Sequence, residues 1–437
     1  MFLVWRVPLP TSAMFQQLRK QNLLKFILLF ALLILTARQV GKLANHSLLP
    51  FDDFLAFWSS GHLLLTGQDP YSYGLIDRLQ KSVGFGGSYP MVMWYPPWAF
   101  VFMLPFGGLH YSTARLLWLV LSIVALVVSA SLLWRIYNGS KNSMPVAWLL
   151  AFTFCPSLFV LRNGQMSALV LLGLVSFLYF ESDSRSHLRE WVAGVMLLLV
   201  SLKPHVTYLF WIILALWALR QRRWPLLFAG ISAGLLATVI PLFFNHDLIG
   251  QYFAIRGRFS SPLFNWPTPT IGTLLRIGFG AERLWLQFLP LIVCILVTLP
   301  YWVRHRDDWD WGKNMPMVLS LSLMTSVYEW EPDFVLLLPL VIQIAVRASE
   351  ISHRLKLIMA ALYLVINVIG MIQNVLVVNP AWFVWFAPTL LACYLIVIVW
   401  PIREDRSNQS HPPMPPISPM MGAKLRNRLE GTGPKEQ

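Results

Sequence analysis

The chain has 437 residues, of which 57% are hydrophobic, 14% aromatic and only 12% charged; soluble proteins carry roughly 25% charged residues. Mean hydropathy is +0.59, and no polar block is large enough for a separate soluble core, which excludes an ordinary soluble protein. The net charge of +14 needs no nucleic-acid partner, because the basic residues sit in short tracts between apolar runs, where they set membrane topology.

In chain order, a cytoplasmic N-terminal tail (residues 1–21) leads into an apolar run at 22–41. Arg19, Lys20 and Lys25 flank it, and no small-residue cleavage pattern follows, so it reads as a retained first span and not a cleaved leader. Residues 42–112 form a long outer loop. Inside it the apolar stretch Trp94 to Leu109 carries Pro96, Pro97, Pro105, Gly107 and Gly108, which disfavours a regular crossing helix and predicts a re-entrant or interfacial segment.

Further runs fall at 113–134, 145–161, 165–180, 190–202, 204–219 and 225–244; after a second outer loop at 245–283 come 284–303, 315–329, 332–347, 356–373 and 381–401. Each is a candidate to cross a hydrocarbon layer of roughly 30 Å. The expected architecture is an all-α polytopic membrane protein with about twelve transmembrane helices in a single domain at 22–401, the re-entrant or interfacial segment and two long outer loops. With a cytoplasmic N-terminus, the short inner loops and the tail at 402–437 hold most of the 34 Lys and Arg, as the positive-inside rule requires. That tail, rich in proline and basic residues, is expected to be a disordered cytoplasmic strip. Cys155, Cys294 and Cys393 lie inside apolar segments without metal-ligand spacing and read as small hydrophobes.

Under this topology the ionisable groups gather on the outer face, at six separate loops. Asp52 and Asp53 precede Phe54-Leu55-Ala56-Phe57-Trp58, an aromatic stretch expected at the interface. Either carboxylate could deprotonate a hydroxyl once partly desolvated, or simply cap a helix. Gly67-Gln68-Asp69-Pro70-Tyr71 reads first as a turn. Arg162-Asn163-Gly164-Gln165 is a short outer turn rich in donors. Lys203 interrupts an apolar run, either snorkelling to the interface or serving as a point charge for a phosphate, with His205 beside it as a second donor or a helix cap. Arg256 and Arg258 lie in the second outer loop, as phosphate partners or solvated charges. Glu331 and Asp333 stand at the mouth of the tenth span, where they could orient a sugar or a base, or pair with an arginine. Asp308-Trp309-Asp310 is read as an ordinary charged inner loop. Zinc-hydrolase, nucleophile-elbow and nucleotide phosphate-loop motifs are absent from the sequence.

Taken together, Asp53-Phe54 with Phe57, Gly67-x-x-Pro70-Tyr71, Tyr95-Pro96-Pro97 with Pro105, Asn163-Gly164-Gln165, Lys203-Pro204 and the acid-rich step before Leu336 to Pro339 resemble glycosyltransferase family 87, in the right order over about residues 50 to 345. These are C-type, multi-span enzymes that include polyprenyl-phosphomannose-dependent mannosyltransferases. The resemblance implies inverting transfer of mannose or another pentose or hexose from a polyprenyl-phosphate donor to a lipid or glycan acceptor, with no cofactor and metal-independent or only weakly metal-dependent, at the periplasmic face of a bacterial inner membrane. It implies a catalytic aspartate in the first outer loop, matching Asp53 with Asp52 as the close alternative. Donor phosphate would be held by Lys203, His205, Arg162, Arg256 or Arg258, and substrate by Tyr71, Tyr95, Asn163, Gln165, Glu331 and Asp333. Family members often carry a His or Tyr just ahead of the late aspartate where this chain has Glu331-Pro332-Asp333, so Asp333 carries over more securely than Glu331. A lipid or solute transporter or flippase would share the span count, but would be expected to show internal repeats and a midplane site; the sequence shows no fixed-period repeat.

Overall fold

A computed structural model of the protein describes residues 51–181, 186–263, 266–348, 352–376 and 378–399. The expected first span and both expected tails lie outside the described residues. Every regular element among the described residues is helical. The chain divides into two compact units, Met1–Leu391 and Ala392–Gln437.

The first unit opens with α1 (Phe54–Leu65) and α2 (Tyr73–Ser82), followed by a 3-10 turn Pro97–Ala99 that runs into α3 (Phe100–Gly107). With its 3-10 lead, α3 covers 11 residues, about 16 Å at 1.5 Å per residue, too short to cross, as the prolines predict. It packs back against α1 through two glycines: a Cβ on Gly107 would lie 2.4 Å from the Gly61 carbonyl carbon. The Trp58 indole donates to the Leu109 carbonyl at 2.9 Å and His62 Nδ1 lies 2.9 Å from the Gly107 carbonyl oxygen, so the segment is clamped to α1.

Next come α4 (Tyr111–Ile136), α5 (Met144–Thr153), α6 (Cys155–Asn163), α7 (Ser167–Glu181), α8 (His187–Val200), α9 (Tyr208–Arg220), α10 (Trp224–Leu242), α11 (Leu248–Leu263) and α12 (Ile271–Phe279). They are followed by α13 (Trp285–His305), α14 (Trp311–Thr325), a 3-10 segment Glu331–Leu337 leading into α15 (Leu338–Arg347), α16 (His353–Val375) and a 3-10 turn Pro380–Trp385 leading into α17 (Phe386–Tyr394). Of the second unit, the end of α17 and a π-helical turn at Leu395–Val399 are described. The second outer loop expected at 245–283 is therefore largely helix, α11 and α12. Arg256 and Arg258, read from the sequence as loop residues, stand on the helical backbone of α11; the described part of the first loop is also largely helical.

By length and composition five of these elements are apolar and long enough to cross a membrane: α4, α10, α13, α16 and the stretch Pro380–Ile398. The pair α5 and α6, bent by 61°, would make a sixth. The remaining runs fold as helices of 10 to 15 residues, α7, α8, α9, α14 and α15. Eleven of the twelve expected crossings fall on described residues, and by this measure five elements there, or six with the bent pair, are long enough to cross. A physical reason is visible in the breaks: the backbone leaves the helix at 164–166, 201–207 and 326–330, places where polar residues turn inward, and apolar content alone does not say where a helix stops.

Breaking a helix in an apolar setting frees backbone groups that must be satisfied internally. At the α5–α6 bend Pro156 follows Cys155, and the Cys155 N–H is taken up by the Asn367 side-chain oxygen of α16 at 2.6 Å. Close approach at this joint is possible because Gly370 stands opposite; a Cβ there would lie 2.7 Å from the Cys155 sulfur. Cys155 and Cys294 are buried free thiols.

Two ends of the α7–α9 group carry charge. At one, Arg223 pairs with Glu190 and, at 3.4 Å, with Glu181, its guanidinium 5.2 Å from the Trp217 ring centroid, while Arg220 pairs with exposed Asp307. At the other end lie Ser167, Lys203 and the 3-10 segment with Asp333, about 20 Å away along α7.

Candidate active site

Asp52 and Asp53 are adjacent, yet the fold separates their work. Asp52 accepts from Arg115 Nε at 2.7 Å and lies 2.6 Å from Arg115 Nη2, while its other oxygen takes the Phe54 N–H at 3.0 Å. The same guanidinium donates to the Leu161 and Arg162 carbonyls at 2.9 and 3.2 Å. Both side chains are almost wholly buried. Burial pushes the Asp52 carboxyl up to about 6 against the pull of Arg115, which still leaves it ionised and paired at neutral pH. Asp52, not Asp53, caps α1; Asp53 makes no capping bond and turns the other way.

The Asp53 carboxylate accepts from the Gln165 amide. Gln165 in turn receives Lys203 Nζ on its oxygen at 2.9 Å, and Lys203 donates to Asp333 Oδ1 at 2.6 Å. Asp333 also accepts from the Ser167 hydroxyl, and from the Trp330 backbone N–H at 3.0 Å. One continuous relay, Asp53–Gln165–Lys203–Asp333–Ser167, therefore joins four segments far apart in the chain. Lys203 and Asp333 keep only 5% and 1% of their side-chain surface, so this is a buried ion pair, held by hydrogen bonds that such a pair requires.

Local sequence explains how the residues arrive. Gly164 is left-handed at φ 61° and ends α6; a Cβ there would meet Phe54 Cβ at 2.8 Å and Asp52 Oδ1 at 2.9 Å. Glycine is thus required twice over, for its backbone conformation and for contact with the aspartates. The Trp118 indole donates to the Gly164 carbonyl at 2.8 Å, fixing the turn so that Gln165 reaches Asp53. Lys203 sits in the break between α8 and α9, ahead of Pro204. Asp333 lies at the third position of a 3-10 segment that begins Glu331-Pro332.

Electrostatics follow from this burial. Desolvation raises the Asp53 carboxyl above the usual carboxylate range, opposed by the Gln165 hydrogen bond and the Lys203 charge and reinforced by Asp333. For Asp333 burial also pushes upward, but the Lys203 charge and hydrogen bond, the Ser167 hydroxyl and the Trp330 N–H together hold it below that range. Glu331, buried, is pushed up to about 7, with Asp333 adding to the rise and a backbone hydrogen bond opposing it. Glu329 is wholly buried, and neither carboxyl oxygen has a hydrogen-bond partner; burial, then the charges of Asp333 and Glu331, raise it far above the usual range. Burial without a partner disfavours its charged form.

The other expected residues fall into two groups. Tyr95 belongs with the relay: burial and then the charges of Asp333 and Asp53 raise its hydroxyl well above the phenol range, and its ring meets Phe57 edge-on at 5.3 Å. Tyr71 is a buried brace whose hydroxyl donates to the Tyr95 carbonyl at 2.9 Å, while Asp69 forms the expected turn by accepting from the Tyr71 N–H at 2.9 Å. Asn163 is half-buried at the end of α6. By contrast, Arg162 is exposed and donates to Asn374 at 2.8 Å, outside the relay. His205 is exposed, with its ring 5.9 Å from that of Tyr328. The partner of Asp333 is a lysine, not the arginine considered from the sequence.

Sequence reading missed Arg115 and Ser167 as parts of this region. Arg115 stands near the head of a long apolar run, and its signal is that a cation inside an apolar helix start, on the outer side where the positive-inside rule supplies none, needs an acid. Among the described residues no group of three or more His, Cys, Asp and Glu is placed to hold a metal ion.

The family model of glycosyltransferase family 87 matches residues 94–327, more than half of the chain. The chain belongs to glycosyltransferase family 87. The matched stretch includes Tyr95, Asn163, Gln165 and Lys203, and the fold brings Asp53 and Asp333 to it from outside. An alpha-(1->3)-arabinofuranosyltransferase of Mycobacterium tuberculosis (strain CDC 1551 / Oshkosh) and one of strain ATCC 25618 / H37Rv are each 29% identical to this chain over 213 residues, 44% of the chain and 48% of the relative. The chain thus spans about half the length of the curated relatives it matches. No solved structure matches it.

Proposed function

We propose that this family 87 protein is a membrane glycosyltransferase that moves a pentose or hexose from a polyprenyl-phosphate donor to a glycan or glycolipid acceptor, with inversion, on the periplasmic side of a bacterial inner membrane. Asp53 acts as general base. It takes the proton of the acceptor hydroxyl as that oxygen attacks the anomeric carbon; the bond from that carbon to the phosphate oxygen breaks on the opposite face, and polyprenyl phosphate leaves with the electron pair. Lys203 commits two of its three donors to Gln165 and Asp333, and its third is the natural contact for the departing phosphate. Asp52 is the structural partner of Arg115 and not the base.

The observation that carries the reading is the relay from Asp53 to Asp333, assembled from four distant segments at one end of α7 and α8 in a chain of this family. A second feature supports a lipid-linked donor. An apolar cavity of about 440 Å³ lies among α8, α9 and α10, lined by Leu197, Trp211, Leu226 and Ile231, and covered by Trp98. It reaches Ser201, whose carbonyl accepts from the Trp98 indole at 3.2 Å, two residues from Lys203. An isoprenoid tail suits such a lining. The name of the mycobacterial relatives makes arabinofuranose the first donor sugar to test, and mannose the second.

The test is transfer by protein reconstituted in lipid vesicles with decaprenyl-phospho-arabinofuranose or decaprenyl-phospho-mannose and a panel of glycoside acceptors. Replacing Asp53 by Asn is expected to slow transfer by about 10²- to 10⁴-fold, the usual worth of a general base, with donor still bound. Near-normal transfer by Asp53→Asn removes the residue from the role, and no consumption of either donor by the unaltered protein rejects the donor class.

A further inference from the structure

Beside the relay lies an aromatic group that neither the base nor the phosphate contact uses. Residues 326–330 are irregular, and Trp330 is extended at φ −129°, ψ 161°. Extended chain sends successive side chains to opposite faces. Glu329 accordingly goes into the core, while Tyr328 and Trp330 emerge on the other side, their rings edge to face with centroids 5.9 Å apart and the Trp330 indole donating to the Tyr328 hydroxyl. Trp266, from the connection between α11 and α12, completes a triad: its ring lies 6.2 Å from Tyr328 and 6.0 Å from Trp330. Trp266 is 39% exposed, and Tyr328 and Trp330 are half-buried. Exposed His205 borders the group at 5.9 Å from Tyr328.

We infer that Trp266, Tyr328 and Trp330 form a stacking platform for a saccharide ring of the acceptor. The inference rests on the transferase reading above and adds to it the seat of the second substrate. Aromatic faces carry negative charge density, and the C–H-bearing face of a sugar ring is its positively polarised, least hydrated face, so the two stack while the hydroxyls stay free for polar partners. The platform is tied to the site: the Trp330 backbone N–H donates to Asp333, a member of the relay that starts at Asp53. Single tryptophans at a membrane boundary commonly anchor to lipid headgroups. Here three rings from two segments are held together by a hydrogen bond, one edge-to-face contact and two tilted contacts, and the Trp330 backbone is tied to a buried carboxylate. Anchoring to lipid asks for none of that order.

Saturation-transfer NMR on the full chain in nanodiscs tests this without turnover, with methyl α-D-arabinofuranoside and methyl α-D-mannopyranoside oligosaccharides as probes. They lack an alkyl chain and so do not report the bilayer. Transfer of saturation to the sugar C–H protons is expected for the unaltered protein and for Trp266→Phe, and a several-fold loss for Trp266→Leu, which keeps apolar bulk but removes the ring. With a working donor, Trp266→Leu is expected to raise the acceptor KM about tenfold, the scale of one aromatic stacking contact, while kcat and donor KM hold. Equal saturation transfer in Trp266→Leu and Trp266→Phe overturns the platform, as does a change confined to donor KM. Loss of sugar contact in Trp266→Leu, in a protein that consumes neither polyprenyl donor, sustains the platform and rejects the donor assignment, so the two failures are told apart.

Discussion

The two charged ends of the α7–α9 group use the same residue types to different effect. At the end holding Glu181, Glu190, Arg220 and Arg223, the acids and bases pair at partly open positions; Arg220 and Asp307 keep 39% and 71% of their side-chain surface. At the end holding Lys203 and Asp333, the pair is closed off from water, shares its hydrogen bonds with Gln165 and Ser167, and sits beside an acid, Glu329, that has no hydrogen-bond partner at all. The first arrangement is what a folded helix end needs. The second costs far more in desolvation than it returns in stability, and so buried a cluster of ionisable groups points to chemistry.

Four substitutions, two of them combined in one variant, sharpen or break this contrast. Lys203→Met leaves Asp333 buried without its cation and is expected to destabilise the fold by about 3–5 kcal/mol, read as a fall in the unfolding midpoint in detergent; Lys203→Met combined with Asp333→Leu should recover most of it while remaining inactive. A double variant no more stable than Lys203→Met alone would show that the pair is not the source of the effect. Gln165→Leu acts next. Asp53 must be ionised to accept a proton, so transfer is expected to rise with pH through a carboxyl held above its ordinary range by burial. Removing the Gln165 hydrogen bond, which lowers that carboxyl, moves the acid limb of kcat/KM to higher pH, and an unmoved limb would detach Gln165 from Asp53 in the working enzyme. The smallest effect is expected at the open end, where Arg220→Ala, losing an exposed pair, should leave both the unfolding midpoint and transfer unchanged.

Much of the relay was readable before any fold was in hand, for a definite reason. Asp53, Gln165, Lys203 and Asp333 are polar residues that interrupt or abut apolar runs, and lipid makes each interruption expensive enough to demand a purpose. Family 87 motifs then put them in order. Charge type alone was a poorer guide: Arg162 satisfies the same rule but turns outward to Asn374, and Arg256 and Arg258 looked like loop residues only because 245–283 is rich in polar and turn-forming residues. Arg115 escaped because it stands three residues past the outer loop 42–112, where it counts as one more basic residue of the outer side. Helix count suffered most. Residues 165–180 and 204–219 are mostly apolar, yet their helices, α7 and α9, are 15 and 13 residues long, starting only after the breaks at 164–166 and 201–207, and no window of hydropathy marks where those breaks fall.

The bend at Cys155 has a consequence for the order in which this protein can be completed. The amide freed there waits for an oxygen that is 212 residues further along the chain. Until Asn367 has been synthesised and inserted, the kinked hairpin that carries Asn163, Gly164 and Gln165 holds an unanswered donor in its interior. Maturation of the nascent polypeptide is therefore gated by its late helices, and truncation ahead of α16 would release a protein whose early half is finished in sequence and unfinished in structure.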